Sequence, residues 1–200
     1  MAGEREGAPR PPSGAAPAAP GAGGFWSLGV RVFHWSLVTL FALNFLILDE
    51  ESALHEWAGF GVGALLAFRL VYGLVGPRRA RFASFPPSLS AAADHARALL
   101  RWRPEARGAS HNPLGALMVW NLLATLAVIV ATGVMMTTDA FWGVEWVEEV
   151  HEAAANWAAL SVLVHVAGVA TECLRSGTHV IGDMLGPWAE RMLIGRGERS

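Results

Sequence analysis

Four of the seven histidines lie within, or at the mouths of, long apolar segments: His34, His55, His151 and His165. Imidazole nitrogens are common metal ligands, and ionisable side chains inside apolar segments are rare, unfavourable and usually functional. A single such histidine is as often a hydrogen-bonded packing residue. Four with matched spacing favour a binding site instead.

The spacing of His151 and His165 places two ligands on one helix. They are 14 residues apart, so at about 100° per residue they return to within about 40° of the same face. At about 1.5 Å per residue they are separated by about 21 Å along the axis. One helix would therefore present two imidazoles at two depths.

The composition indicates which elements must position these histidines. The 200 residues are 53% hydrophobic and 16% charged, with a mean hydropathy of +0.36, whereas a soluble domain has about 25% charged residues. Each of four apolar segments is close to the roughly 20 residues that a membrane-spanning helix needs. The segments are residues 28–48, 54–75, 113–136 and 153–174.

These segments lack the period-2 alternation of a transmembrane β-barrel, and a soluble helical bundle is the weaker alternative. We therefore predict an all-α fold, a four-helix transmembrane up-and-down bundle. We expect a single domain over residues 25–200. The Ala-, Gly- and Pro-rich residues 1–24 should be a disordered tail rather than a cleaved leader.

The charges alternate along the chain in the way that a four-span topology requires. The first and third connections are acidic and contain no arginine. All 15 basic residues are arginines, and they lie in the tail, at the other ends of the spans and in the central connection. By the positive-inside rule, both termini are predicted to be cytoplasmic in a bacterial inner membrane.

Two shorter helices are expected at the membrane surface, over residues 88–102 and 178–194. The single cysteine, Cys173, excludes an internal disulfide and a cysteine-ligated metal centre within one chain.

This topology pairs the four histidines by depth. His34 would meet His165 on the cytoplasmic side, and His55 would meet His151 on the outer side. Haem fits best, because its iron accepts two axial imidazoles and its macrocycle suits an apolar helix interface. Zinc is less suitable, because it normally takes three or four protein ligands in one place.

Small and basic residues near these histidines suit a macrocycle with carboxylate groups. Gly59 and Gly63 follow His55 by one and two helical turns, which leaves room for a ring. Arg31, and less clearly Arg69, lie where haem propionates could emerge; for Arg69 membrane anchoring is the stronger alternative. Three embedded amides could bind neighbouring helices or a ligand: Asn44, Asn121 and Asn156.

Four sequence strings carry a resemblance to a known family. They are RVFHW (31–35), HEWAGFGVGALLAFRLVYGLVGPRRARF (55–82), HNPLGALMV (111–119) and VHEAAANWAALSVLVHVAG (150–168). They resemble the bacterial cytochrome b561 family, which includes the b-type cytochrome subunit of nickel–iron hydrogenases. The resemblance implies two b haems bound by His34, His55, His151 and His165, with no iron ligand on the third helix and none assigned to His111.

The resemblance also implies electron transfer between a membrane quinone and a redox partner. Only 20 residues separate His34 from His55, fewer than in some members that act alone on quinone and superoxide, which weakens the expectation of that activity. The acidic outer connections would suit a basic partner such as a cytochrome c.

The alternative function is a haem-containing membrane anchor for a peripheral hydrogenase or dehydrogenase. A metal or proton transporter is disfavoured, because no acidic residue lies near the middle of a span. Lipid contact is expected and nucleic-acid binding is not.

Overall fold

The computed structural model of the chain describes residues 27–100, residues 113–176 and Met184. These residues form helices and their connections. The helices are α1 Leu28–Leu46, α2 Ala53–Val75, α3 Leu89–Leu100, α4 Pro113–Met136 and α5 Glu145–Ser176. Two 3-10 turns, Arg78–Ala80 and Phe82–Ser84, lie between α2 and α3. The prediction of an all-α fold is confirmed.

Four of these helices are long and apolar enough to cross a membrane. The candidate spans are Leu28–Leu46, Ala53–Val75, Pro113–Met136 and Glu145–Leu174. Large apolar side chains on them face outward, and Trp157, Leu163 and Val166 are each more than half exposed. A bilayer would cover such surface. The predicted four-span bundle is confirmed, whereas the side of the membrane on which each terminus lies stays a prediction.

The connection between α1 and α2 ends in a serine that begins α2. The Ser52 hydroxyl accepts a hydrogen bond from the His55 backbone N–H at 3.2 Å and donates to the Asp49 carbonyl at 2.6 Å. Serine is a favoured residue at this position, because its oxygen satisfies a backbone donor that the helix leaves free. His55 is thereby fixed in the first turn of α2.

Helix α5 begins about eight residues earlier than the sequence predicts. Glu145 starts it, and acidic side chains in a first turn interact favourably with the positive end of the helix dipole. Val147 is fully buried and fastens this turn to the protein. Gly143, with a φ of 72°, makes the preceding turn in a conformation that favours glycine. His151 consequently lies nearly two turns inside α5.

The spans do not pack equally tightly against one another. Helix α2 packs against α1 and α4, and α5 packs along α4. Their shared core is formed by Phe33, Val62, Leu66, Leu123 and Leu126. Helix α5 makes few close backbone contacts with α1 or α2. A cleft therefore separates α5 from these two helices.

The two ends of the bundle differ in charge. The acidic end carries residues 47–52 and 137–144 and the first turns of α2 and α5, with carboxylates and no arginine. The basic end carries the start of α1, the end of α2 and the start of α4. Helices α1 and α2 are joined there by a hydrogen bond of 3.1 Å between the Tyr72 and Ser27 hydroxyls.

At the basic end, the buried Arg69 binds the connection that follows α2. Arg69 is 5% exposed, and its guanidinium donates to the Ala80 carbonyl at 3.2 Å. The same group lies over the Phe82 ring, 4.7 Å from its centroid. The Trp120 indole N–H donates to the Phe85 carbonyl at 3.3 Å. The connection is thus folded back onto α2 and α4.

Helix α3 confirms the short helix predicted after this connection. The Ser88 hydroxyl accepts a hydrogen bond from the Ala91 N–H at 3.3 Å, and α3 packs against α4 with Ala92 and His95 buried. Its place at the membrane surface stays a prediction. The expected tail over residues 1–24, residues 101–102 and, apart from Met184, the helix expected over residues 178–194 lie outside the described residues.

Candidate functional site

His55 and His151 face each other across the cleft near the acidic end. The centroids of their rings are 6.4 Å apart, with 59° between the ring planes. Two imidazoles bound on opposite sides of one metal ion, each through a bond of about 2 Å, would have centroids about 6 Å apart. The spacing therefore suits a single metal ion between the two rings.

The cleft around this pair has a volume of about 870 Å³, within the usual range for a ligand site. Its walls are largely apolar and come from α1, α2, α4 and α5, whereas its mouth is lined by carboxylates such as Glu50 and Glu148. A Cβ atom added to Gly59 would meet nothing within 4 Å, so this glycine borders open space. A large apolar group with polar edges fits such a cleft.

Neighbouring helices hold both histidines of the acidic-end pair. The Thr132 hydroxyl of α4 lies 3.0 Å from Nδ1 of His151. The Asn44 amide of α1, oriented to satisfy both of its polar atoms, donates to the His55 carbonyl and accepts from the Gly59 N–H, each at 3.2 Å. Asn44 thus bridges α1 to the turn of α2 that carries His55.

The other two predicted histidines lie toward the basic end. His34 of α1 and His165 of α5 are both half-buried. The His34 ring meets the edge of Trp35 at a centroid distance of 5.2 Å, and the Trp35 indole donates to the Met184 carbonyl at 3.2 Å. The structure thus brings His55 and His151 face to face, whereas the pairing of His34 with His165 stays a prediction.

Several buried nitrogens in these sites have no partner among the described residues: Nδ1 of His34, Nδ1 of His55 and Nε of Arg31. An unsatisfied buried polar group costs about 1–3 kcal/mol. Haem would suit these surroundings, because its propionates can pair with the Arg31 guanidinium and its iron takes an imidazole nitrogen as ligand. The described residues contain no cluster of three or more His, Cys, Asp or Glu that could hold a metal ion. The facing imidazoles of His55 and His151 would suit haem iron, which accepts two imidazole ligands.

Two residues singled out in the sequence have contacts that explain them without a ligand. A Cβ on Gly63 would lie 3.1 Å from Cγ1 of Val130, so its small size allows α2 to approach α4. A role for Gly63 beside a haem stays a prediction. Arg69 is engaged by Ala80 and Phe82, as described above.

The embedded amides differ in their surroundings. The Asn121 amide of α4 donates to the Ser161 hydroxyl at 2.8 Å and accepts from the Trp157 indole N–H at 3.0 Å, which joins α4 to α5. Asn156, by contrast, is exposed.

Thr132 is the functional candidate that sequence reasoning missed. It is 19 residues from His151 and on another helix, so no spacing rule connects the two. The available signal was a threonine beside Gly133 in an apolar span, where a hydroxyl can interact with a neighbouring helix. A Cβ on Gly133 would lie 3.3 Å from the His151 ring, which shows how closely α4 approaches it.

The fold and the site define a class of protein: a four-span helical membrane protein with two histidines that face each other across a cleft. A family model for prokaryotic cytochrome b561 matches residues 25–187, and the chain belongs to this family. Neither the curated proteins nor the solved structures give a match. Family membership confirms the resemblance and makes the protein a membrane b-type cytochrome of electron transport, which binds haem b.

Proposed function

We propose that the protein is a dihaem b-type cytochrome that carries electrons across the bilayer between the quinone pool and a redox partner. His55 and His151 would hold one haem b near the acidic end, and His34 and His165 a second near the basic end. The observation that carries the proposal is the 6.4 Å separation of the His55 and His151 rings across a cleft.

Haem, when bound, supplies an iron centre that gains or loses one electron in place. The chain's own residues bind and orient that centre and exclude water from it. Val62 and Ile129 line the cleft with apolar side chains, and Gly59 leaves room beside His55. Arg31, one turn before His34, has a free buried nitrogen for a carboxylate.

The distance between the couples supports a path through the membrane. His151 and His165 are 14 residues apart on one continuous helix, which corresponds to about 21 Å. The apolar core of a bilayer is about 30 Å thick. Two sites at these depths would cover most of that thickness.

The charge at the acidic end supports a basic soluble partner such as a cytochrome c. Glu50, Glu148 and Glu152 line the cleft that holds His55 and His151. Carboxylates at a mouth attract a positively charged protein and steer its approach. The quinone at the other end of the path is proposed from family membership.

The haem content of single variants tests the proposal. The purified protein should contain two low-spin haems that a quinol reduces. His151→Ala should lose only the haem near the acidic end and His165→Ala only the one near the basic end, because each removes one axial ligand. His95→Ala is the control, since His95 lies on α3 and should leave both haems in place. Loss of both haems from either variant, or no haem in the wild-type protein, would contradict it.

A further inference from the structure

The contacts of the Thr132 hydroxyl determine which nitrogen of His151 carries a proton. Thr132 is 5% exposed, and its oxygen lies 2.8 Å from the Val128 carbonyl and 3.1 Å from the Ile129 carbonyl. Carbonyl oxygens only accept, and a hydroxyl hydrogen directed at the nearest of the three partners, the Val128 carbonyl, leaves the threonine oxygen as an acceptor. In that arrangement the 3.0 Å contact with Nδ1 of His151 is a hydrogen bond that Nδ1–H donates to the threonine oxygen, and the Ile129 carbonyl is a second acceptor beside the ring.

This assignment has a consequence for the other nitrogen of the ring. A neutral imidazole with its proton on Nδ1 has a free lone pair on Nε2, the nitrogen then available to a metal. An acceptor for the second N–H also fixes the plane of the ring and raises its strength as a ligand. In contrast, Nδ1 of His34 has no such partner among the described residues.

We propose that Thr132 is a positioning residue of the acidic-end haem: it holds the imidazole of His151 with Nε2 toward the iron and lowers the reduction potential of that haem. The inference rests on the proposed dihaem function. Its physical reason is that a more basic axial ligand favours the oxidised iron, which carries the larger positive charge.

Thr132→Val tests this role, because valine has nearly the shape of threonine and cannot accept the hydrogen bond. Loss of a partner of this kind typically costs 10- to 100-fold in metal affinity or activity. At a fixed solution potential, we expect the reduced-to-oxidised ratio of the acidic-end haem to rise about tenfold, which corresponds to about 59 mV for one electron. The other haem should not change.

Thr125→Val is the matched control. Thr125 lies on the same helix two turns earlier, is also buried, and bonds the carbonyl four residues before it at 2.8 Å. Its replacement removes the same intrahelical hydrogen bond without touching His151. Thr132→Ser keeps the hydroxyl and should restore the wild-type potential. A purely structural role would give equal effects for the two valine variants and no recovery with serine.

An optical redox titration of the purified holoprotein provides the readout, and His151→Ala identifies which component belongs to the acidic-end haem. Equal potentials in wild type and Thr132→Val, with both haems bound, would overturn the role of Thr132 alone. If His151→Ala removes neither component, the proposed ligation fails, and that outcome is distinct from a failure of the Thr132 assignment.

Discussion

At the residue scale, the nitrogens without partners indicate how haem and protein would stabilise each other. Nδ1 of His34, Nδ1 of His55 and Nε of Arg31 are buried without a hydrogen bond to the described residues. Each such group destabilises the haem-free protein by about 1–3 kcal/mol. A bound haem whose propionate paired with Arg31 would remove that cost at Arg31 and so stabilise the fold as well as provide the redox centre.

Gly59 gives the sharpest test of the space beside His55. Its Cβ position is open, so Gly59→Ala should retain both haems, whereas Gly59→Leu should project into the cleft and lose the acidic-end haem. The haem-to-protein ratio should fall from two to one for leucine only. Retention of both haems by Gly59→Leu would mean that the macrocycle lies elsewhere.

At the element scale, α5 has two different neighbours. Along α4 it packs closely, with a polar link from Asn121 to Ser161 and Trp157, while its residue His151 lines the cleft that α1 and α2 also border. One face of α5 thus packs against α4, and another face borders the proposed binding site.

The connection after α2 is held by several contacts of one side chain, Arg69. Arg69→Met should remove the hydrogen bond to Ala80 and the stacking on Phe82, and so release this segment from the bundle. Losing about 1 kcal/mol of local stability would raise the open population, and with it the rate of cleavage by trypsin after Arg78 or Arg81, about fivefold.

Arg31→Met serves as the control for that cleavage experiment, because Arg31 is also an arginine near the basic end but lies on α1. It should leave the cleavage rate of the connection unchanged. Equal rates for wild type and Arg69→Met would show that other contacts, such as the hydrogen bond from Trp120 to Phe85, hold the segment.

The elements differ in how far the sequence could predict them. The lengths of the apolar segments were sufficient to predict the four spans, because a helix of about twenty apolar residues has few stable environments other than a bilayer. The start of α5 was predicted too late, because Glu145 and Glu148 were assigned to a loop although acidic residues also favour a helix start. Thr132 was missed because its contact with His151 exists only after α4 and α5 pack. The four histidines were chosen from rarity and spacing, and their role as ligands stays a prediction.

At the scale of the whole molecule, the charges divide the protein into two unlike ends. The acidic end presents carboxylates around the mouth of the cleft, whereas arginines gather at the basic end. Membrane insertion retains arginine on the cytoplasmic side. The same separation that orients the protein would therefore also present a negative surface to a partner outside.

Cysteine labelling tests this orientation, since Cys173 is the only cysteine in the chain. In a Cys173→Ser background, Glu50→Cys should react with a membrane-impermeant thiol reagent in intact spheroplasts. Ala83→Cys, exposed near the basic end, should react only after permeabilisation. The reverse pattern would contradict the predicted topology.

The looseness between α5 and the first two spans has a consequence for biogenesis. Helices α1 and α2 form one hairpin and α4 and α5 another, and the two are joined mainly through α2 and α4. Each hairpin could then insert into the bilayer during synthesis, before haem binds. An iron porphyrin bound by histidines from both hairpins would then link the two halves. Haem insertion and the final packing of the four spans would occur in the same step.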